Sequence, residues 1–325
     1  MSIDRRSFLS LGGAALIGST VRGQTRAYTL ETIPAGKTLK DPDGNVVLSY
    51  LTSKPEGVPL AGNSVCCIHP FNTPGGEAAT DIAPADHRDH RGIFFAWHNM
   101  SFTKNGQTVK GDFWGWGAHA PTADRVIKNR DVRLVRADAS SAELQVINDW
   151  MIGPDRVLEA TETIRPMLIS GGNHVARALD LRYQFKSDYE VTLAPMAFTG
   201  FCFRCRKEGP YAFFNPDGEV TLEKFPNSNA NRPETDWPAK SWYSHQVTLQ
   251  NGKVVSSAVV DHPSNPPSLW HGARSVSFLN PCISAGGPIA IPAGKPLILR
   301  YLAVTRDGAF TPSYLDGIAE EWRAR

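Results

Sequence analysis

HVARALDLRYQFKS, residues 174–187, decides the fold class. Within it Leu179, Leu181, Tyr183 and Phe185 alternate with Asp180, Arg182, Gln184 and Lys186. Successive side chains of a strand point to opposite faces, so a period of two describes a strand with one buried and one wet face. At helical spacing the same apolar residues would scatter around the whole circumference. Outward in both directions the signature recurs, in DVRLVRADAS (131–140), AELQVINDWM (142–151), VLEATETIRPML (157–168), KVVSSAVVDH (253–262) and PLILRYLAVTRDG (296–308). Shorter β-like runs fill the stretches between, among them NVVLSYLTS (45–53), SVCCIH (64–69), GIFFAWHNM (92–100) and SVSFLN (275–280). Asp43-Gly44, Asn105-Gly106, Asp217-Gly218 and Asn251-Gly252 are turn signals between them. The sequence therefore predicts an all-β protein: a large antiparallel β-sandwich with more than a dozen strands in two packed sheets. One segment departs, TPSYLDGIAEEWRAR (311–325), which reads as a short C-terminal helix capped by Thr311 with Pro312 in the first turn.

The chain has 325 residues and a formal net charge of +2, and no basic stripe is long enough to follow a phosphate backbone, so nucleic acid is not an expected partner. Residues 1–23 contain Arg5-Arg6 followed by Ser7, Phe8 and Leu9 and a short apolar stretch; they read as a twin-arginine export signal, leaving residues 24–325 as a single β-sandwich domain. No later stretch is apolar for long enough to span a bilayer, so the mature chain is expected to have no integral membrane segment and to work in the periplasm or outside the cell. Five cysteines, Cys66, Cys67, Cys202, Cys205 and Cys282, read as buried small hydrophobes; the CxxC of Cys202 and Cys205 has no second pair to complete a zinc knuckle, though a periplasmic disulfide stays open.

Three constellations could carry chemistry. PADHRDHRG (84–92) packs His87, His90, Arg91 and two aspartates just before the apolar run IFFAW, where a rigid strand would hold them. Imidazoles suit general acid–base work near neutral pH, and a guanidinium suits an oxyanion or carboxylate; the bland alternative is a salt-bridged turn. DHPSNPPSLWHG (261–272) carries His262 and His271 in a proline-stiffened loop, with a purely structural role as the competing reading. GDFWGWGAH (111–119) presents Trp114, Trp116 and His119 among glycines, either a platform for a sugar ring or a core plug. His69, His98, His119, His262 or His271 could complete a metal set with His87 and His90, but no metal signature stands in sequence order, so no metal ligands are assigned and no cofactor is specified. A G-x-S-x-G nucleophile elbow and a glycine-rich nucleotide loop are both missing.

Two of these stretches resemble one bacterial family of unknown function, long labelled "methane oxygenase PmoA". DHRDHRGIFFAWH (86–98) is similar to its DHPHHRGLWFAWG-type signature, and DHPSNPPSLWHGARSVSFLNP (261–281) to its DHPSNPRHPTPWHVR-type signature. The likeness runs from about His69 to about Arg306. Asp89 stands where the pattern has a histidine and His98 where it has a small residue, which weighs against a metal role for the cluster. A membrane methane monooxygenase needs transmembrane helices, which this sequence lacks. The resemblance implies periplasmic carbohydrate metabolism instead, and a mutarotase-like supersandwich is one form the β-sandwich could take. The expected protein is an exported carbohydrate-active enzyme (hydrolase, lyase or epimerase) acting on a small saccharide or sugar derivative. His87 or His90 would be its base and His262 or His271 its acid. His69, Arg91 and Arg204 would bind substrate oxygens, and Trp114 and Trp270 would wall the site. The alternatives are a metal-dependent hydrolase or oxygenase using the same histidines, and a non-catalytic carbohydrate-binding module.

Overall fold

The computed structural model describes residues 26–114, 124–171, 174–221, 237–272 and 276–325. The export-signal reading, Trp116 and His119, and most of the polar loop 227–240 lie outside the described residues.

The strands, in chain order, begin with β1 (Thr29–Ile33), β2 (Gly36–Lys40), β3 (Val46–Leu51), β4 (Cys67–Phe71), β5 (Ile93–Ala96), β6 (Met100–Lys104) and β7 (Gln107–Gly111). The long central strands follow: β8 (Arg125–Ala137), β9 (Ala142–Ile152), β10 (Asp155–Gly171) and β11 (His174–Lys186). After β12 (Val191–Leu193), β13 (Gly200–Arg204), β14 (Tyr211–Asn215) and β15 (Gly218–Glu219) come β16 (Trp242–Thr248) and β17 (Val254–Asp261). The chain closes with β18 (Leu269–His271), β19 (Phe278–Cys282), β20 (Ile289–Ile291), β21 (Leu297–Asp307) and α1 (Pro312–Arg323).

These strands form an eight-stranded sheet, β1-β2-β3-β4-β5-β13-β19-β18, and a nine-stranded sheet, β15-β14-β16-β17-β21-β11-β10-β9-β8. A smaller sheet, β20-β12-β6-β7, is additional to the two that alternation predicted. Its strands are three to five residues long, too short to show a period. Every pairing is antiparallel.

The two large sheets stack through aromatic rings from their inner faces. Phe95 of β5 lies 4.7 Å from Phe185 of β11, and Phe201 of β13 lies 4.3 Å from Tyr301 of β21. The apolar half of the deciding stretch, Leu179, Leu181, Tyr183 and Phe185, is buried in that core. Its opposite face adds Ala176 and Ala178, which join Leu302, Val304, Leu315, Ile318 and Trp322 under α1. The helix begins as expected: Thr311 Oγ1 accepts the Tyr314 N–H, with Pro312 in the first turn. Asn105 and Gly106 both take positive φ, 51° and 75°, in the β6–β7 hairpin, the backbone that an Asn-Gly turn supplies.

All five cysteines are buried and free, so neither the CxxC nor the Cys66-Cys67 pair forms a disulfide.

Candidate functional site

Register decides which side chains meet. Cys67 pairs with Phe94, Phe94 with Cys202, and His271 with Asn280, while Arg204 pairs with Phe278. Directly paired residues share a face, and residues two apart along a strand do too. Cys67, Phe94, Cys202, Arg204, Phe278, Asn280 and His271 therefore lie on the outer face of the eight-stranded sheet. The intervening residues, Phe95, Phe201 and Phe203, point into the sandwich core.

The polar turn delivers its histidines to one end of this face. The His87 N–H donates to the Pro84 carbonyl (3.0 Å), the His90 N–H to the His87 carbonyl (3.1 Å), and the Ala83 N–H back to the His90 carbonyl (2.7 Å). That tight turn brings positions 87 and 90 over one another, with their rings stacked at 4.6 Å and 29°. Gly92 closes it with φ +58°. A Cβ there would stand 2.1 Å from the Ile68 carbonyl oxygen, so only glycine allows β5 to start so close to β4.

Asp86 ties the cluster together. Its two carboxylate oxygens each accept from Arg204 Nη2 at 2.9 Å, and its Oδ2 lies 3.3 Å from His87 Nδ1. Lys207 Nζ is 3.6 Å away. Partial burial pushes the Asp86 carboxyl up, but Arg204, His87 and Lys207 outweigh that and hold it below the usual aspartate value. Arg204 is completely buried and also reaches His90 Nδ1 with Nη1, at 3.4 Å. Burial, reinforced by the charges of Arg204 and Arg91 and by the neighbouring imidazoles of His87 and His271, drives the His90 pKa well down, so its ring is neutral. Burial pushes the neighbouring Asp89 up. Asp89 Oδ2 and Trp114 Nε1 are buried with no hydrogen-bond partner among the described residues, which is uncommon for interior polar atoms.

The other expected site residues divide. His271 joins the cluster through Phe278, whose ring is 5.4 Å from His271 and 5.7 Å from His90. Trp114 joins it too, 6.1 Å from His90 edge-on and 5.2 Å from Phe94. His69 lies beside it; its Nδ1 is 2.9 Å from Thr80 Oγ1, and burial lowers its pKa to about 4. The Arg91 guanidinium sits 4.2 Å above Phe94 and donates to the carbonyls of Val65, Asp89 and Trp114. Through Nε and Nη1 it braces three backbone segments.

Two expectations are corrected by position. Trp270 is on the inward side of β18, 4.8 Å from Tyr243 with its N–H on the Lys240 carbonyl, so it is core and not a wall of this site. His262 sits on the far outer face of the nine-stranded sheet, against Trp322 of α1 (5.0 Å) and bonded to Arg300 Nη1 (2.9 Å) and Ser264 Oγ (2.7 Å). Adjacent residues of a strand point apart, and the loop after β17 follows the α1 side. His262 instead lines a separate cleft of about 310 Å³ with Asp261, Pro263, Lys240 and Arg323.

Sequence reading missed the pairing of His98 with Asp112 (Nδ1 to Oδ2, 2.7 Å), whose imidazole stacks on Trp114 at 5.2 Å. It also missed Phe198 and Phe278, which bridge the histidines. Nothing in the sequence marks a phenylalanine as a spacer between two distant imidazoles. Among the described residues no three His, Cys, Asp or Glu side chains converge as a metal-binding group, and no helix is long and apolar enough to cross a membrane.

Fold and cluster together define an all-β sandwich that carries a histidine–arginine–aspartate group at one end of its outer face. The chain belongs to a family of unknown function, DUF6807, whose model matches residues 41–320. That membership lends no support to the methane-oxygenase label. No curated protein matches. Among solved structures it is similar to a galactose mutarotase related enzyme from Lactobacillus acidophilus (9% identity, 87% of this chain and 98% of that one, TM-score 0.36). A galactose mutarotase-like protein from Lactobacillus casei is similar at 9% identity, covering 86% of this chain and 100% of that one, with TM-score 0.36. A GH36 α-galactosidase from Geobacillus stearothermophilus is also similar (9% identity, 87% of this chain, TM-score 0.37), but this chain spans only 39% of its length. These neighbours are carbohydrate-active or mutarotase-like proteins; likenesses this distant carry no argument about what this chain binds.

Proposed function

We propose that this protein is an exported enzyme that acts on a saccharide or sugar derivative by imidazole acid–base chemistry. The observation that carries the reading is the stacked His87–His90 pair, held by Asp86 and Arg204 at 2.9–3.4 Å. Placing titratable groups in environments that push their pKa values apart is how acid and base roles are separated at one pH. Here Asp86 is held down, Asp89 is pushed up, and His90 is kept neutral within one turn of chain. Glycosidic hydrolysis ordinarily calls for a carboxylic acid that protonates the leaving group and a second carboxylate opposite it. The ion-paired Asp86 does not suit that acid role, so an isomerase- or lyase-type proton transfer fits better. A small polyol suits the site because carboxylate, guanidinium and imidazole groups are grouped beside the rings of Trp114 and Phe278. The Arg5-Arg6 leader supports export to the periplasm.

The test is product analysis by NMR of purified protein against a panel of free sugars, glycosides and their oxidised derivatives, alongside His87→Gln and His90→Gln. Turnover of a panel member that both variants lose by 100-fold or more is expected, since positioned acid–base groups contribute about 10²–10⁴-fold. Binding without turnover in the wild type would establish a binding module instead.

A further inference from the structure

We infer that Asp86 and Arg204 lock the two stacked imidazoles into opposite tautomers, making His87 the base and His90 the oxyanion donor of a proton abstraction next to a sugar carbonyl. This rests on the reading above and names its substrate class: a sugar in a keto or aldehyde form.

The argument starts from donor and acceptor inventory. Arginine has five N–H donors and no acceptor. Arg204 Nη1 faces His90 Nδ1 at 3.4 Å, so that nitrogen carries the lone pair and the proton resides on Nε2. On the other edge of the ring, His90 Nε2 is 3.9 Å from Asp89 Oδ2. A carboxylate oxygen there favours an N–H over a second lone pair. That oxygen is buried and makes no hydrogen bond among the described residues, and the gap to Nε2 is too long for a direct one. His90 Nε2–H is thus a fixed donor.

His87 meets the opposite partner. Asp86 is ion-paired to Arg204 and ionised, and an ionised carboxylate only accepts. At 3.3 Å from Asp86 Oδ2, His87 Nδ1 is the nitrogen that carries the proton, and its lone pair is on Nε2. One carboxylate therefore sets both rings, His87 directly and His90 through Arg204. The two rings stack at 4.6 Å, with His87 partly exposed and His90 buried.

The step balances without a further reactant. His87 Nε2 takes a proton from the carbon beside the carbonyl. The C–H electron pair becomes the carbon–carbon π bond of an enediolate, and the carbonyl π pair moves onto oxygen. His90 Nε2–H donates a hydrogen bond to that oxyanion and keeps its own proton. His87, now an imidazolium beside the Asp86 carboxylate, returns a proton to the face it was taken from, which restores the substrate and the site with that hydrogen exchanged. An enediolate that turns its other face to the same imidazolium before reprotonation gives the epimer. His87 and His90 are catalytic in this scheme; Asp86 and Arg204 are positioning residues.

The full chain, ¹⁵N-labelled at histidine, tests the tautomers by NMR of the ring nitrogens, with His87→Gln and His90→Gln assigning the signals. His90 protonated at Nε2 and His87 at Nδ1 are expected; the same tautomer at both, or His90 protonated at Nδ1, overturns the inference whatever the sugar panel shows. Arg204→Lys and Asp86→Ala should mix the tautomers; if either fails to fold, the wild-type spectrum still decides. Carbonyl sugars in deuterium oxide test the roles: deuterium should enter the carbon beside the carbonyl, with exchange falling at least 100-fold in His87→Gln. Turnover without such exchange overturns the roles. A silent sugar panel together with opposite tautomers refutes the function proposed above and leaves the tautomer assignment standing.

Discussion

Replacing Glu162 by glutamine should remove a pH-dependent instability from the core. Glu162 lies on β10, opposite Tyr183 and Val146 and 7% exposed, in the gap between the two large sheets. Its Oε1 accepts from Tyr50 (3.0 Å) and from Asn148 Nδ2 (2.6 Å), while Asn148 also donates to the Tyr50 hydroxyl (2.8 Å). Those bonds favour the carboxylate, but burial wins and raises the pKa from 4.5 to about 7. A folded pKa above the unfolded one means that protonation favours the fold. The stability is fully present below about pH 4.5 and is lost as pH rises through about 7. A rise of that size corresponds to about 3 kcal/mol, at roughly 1.36 kcal/mol for each pH unit, a large share of a typical folding free energy. A glutamine side chain at this position keeps an acceptor for Tyr50 and Asn148 and never ionises. Urea unfolding at a series of pH values from 4 to 8 should show the wild type losing about 3 kcal/mol more than Glu162→Gln across that range. The comparison of slopes cancels every other titrating group and any fixed cost of the substitution. Equal losses in the two proteins would refute the reasoning, because Glu162 would then ionise in the folded core without penalty.

Three further outcomes follow from packing, hydrogen bonding and burial. Gly272→Ala should cost at least about 2 kcal/mol by overpacking, read from thermal or urea unfolding, because its Cβ would fall 2.2 Å from the Trp237 ring. His262→Ala should cost about 1–2 kcal/mol through the lost bonds to Arg300 and Ser264. It should leave any sugar turnover that His87→Gln abolishes intact; equal loss of activity in both would unite the two histidines in one site. Native protein should give no fast reaction with a thiol reagent and all five thiols after unfolding, because the cysteines are buried and burial pushes their thiols up, to about 12 at Cys67 and about 11 at Cys282.

Strands that run long and half-exposed were legible because alternation needs length to declare itself. Along β9 every second residue from Ala142 to Ile152 is buried, and the sequence shows it directly. Strand β13 (GFCFR) is buried at all five positions, its outer face being covered by the cluster itself, so no alternation marks it in the sequence. The same covering hid the site's geometry. Composition near residue 90 pointed to chemistry, yet the element that organises it is register. Arg204 meets Asp86 across 118 positions because β13 pairs with β5, a relation that no local window contains.

The second motif, DHPSNPP, shows why a specific sequence pattern need not be a site. Asn265 Nδ2 donates to Asp261 Oδ1 (2.6 Å) and to the Arg300 carbonyl (2.8 Å), while its Oδ1 accepts the Arg300 N–H (2.8 Å). The side-chain amide thus copies a peptide group and extends the β17–β21 ladder past the end of β17, where Asp261 pairs with Tyr301. Three prolines beyond it supply no N–H donors and fix φ, so the loop leaves the sheet without stranding polar backbone atoms. Each of those demands restricts residue identity as tightly as catalysis would. Only at the end of this stretch does a side chain reach the candidate cluster: Trp270 turns inward to the core and the next residue, His271, turns outward to Phe278, which contacts His90.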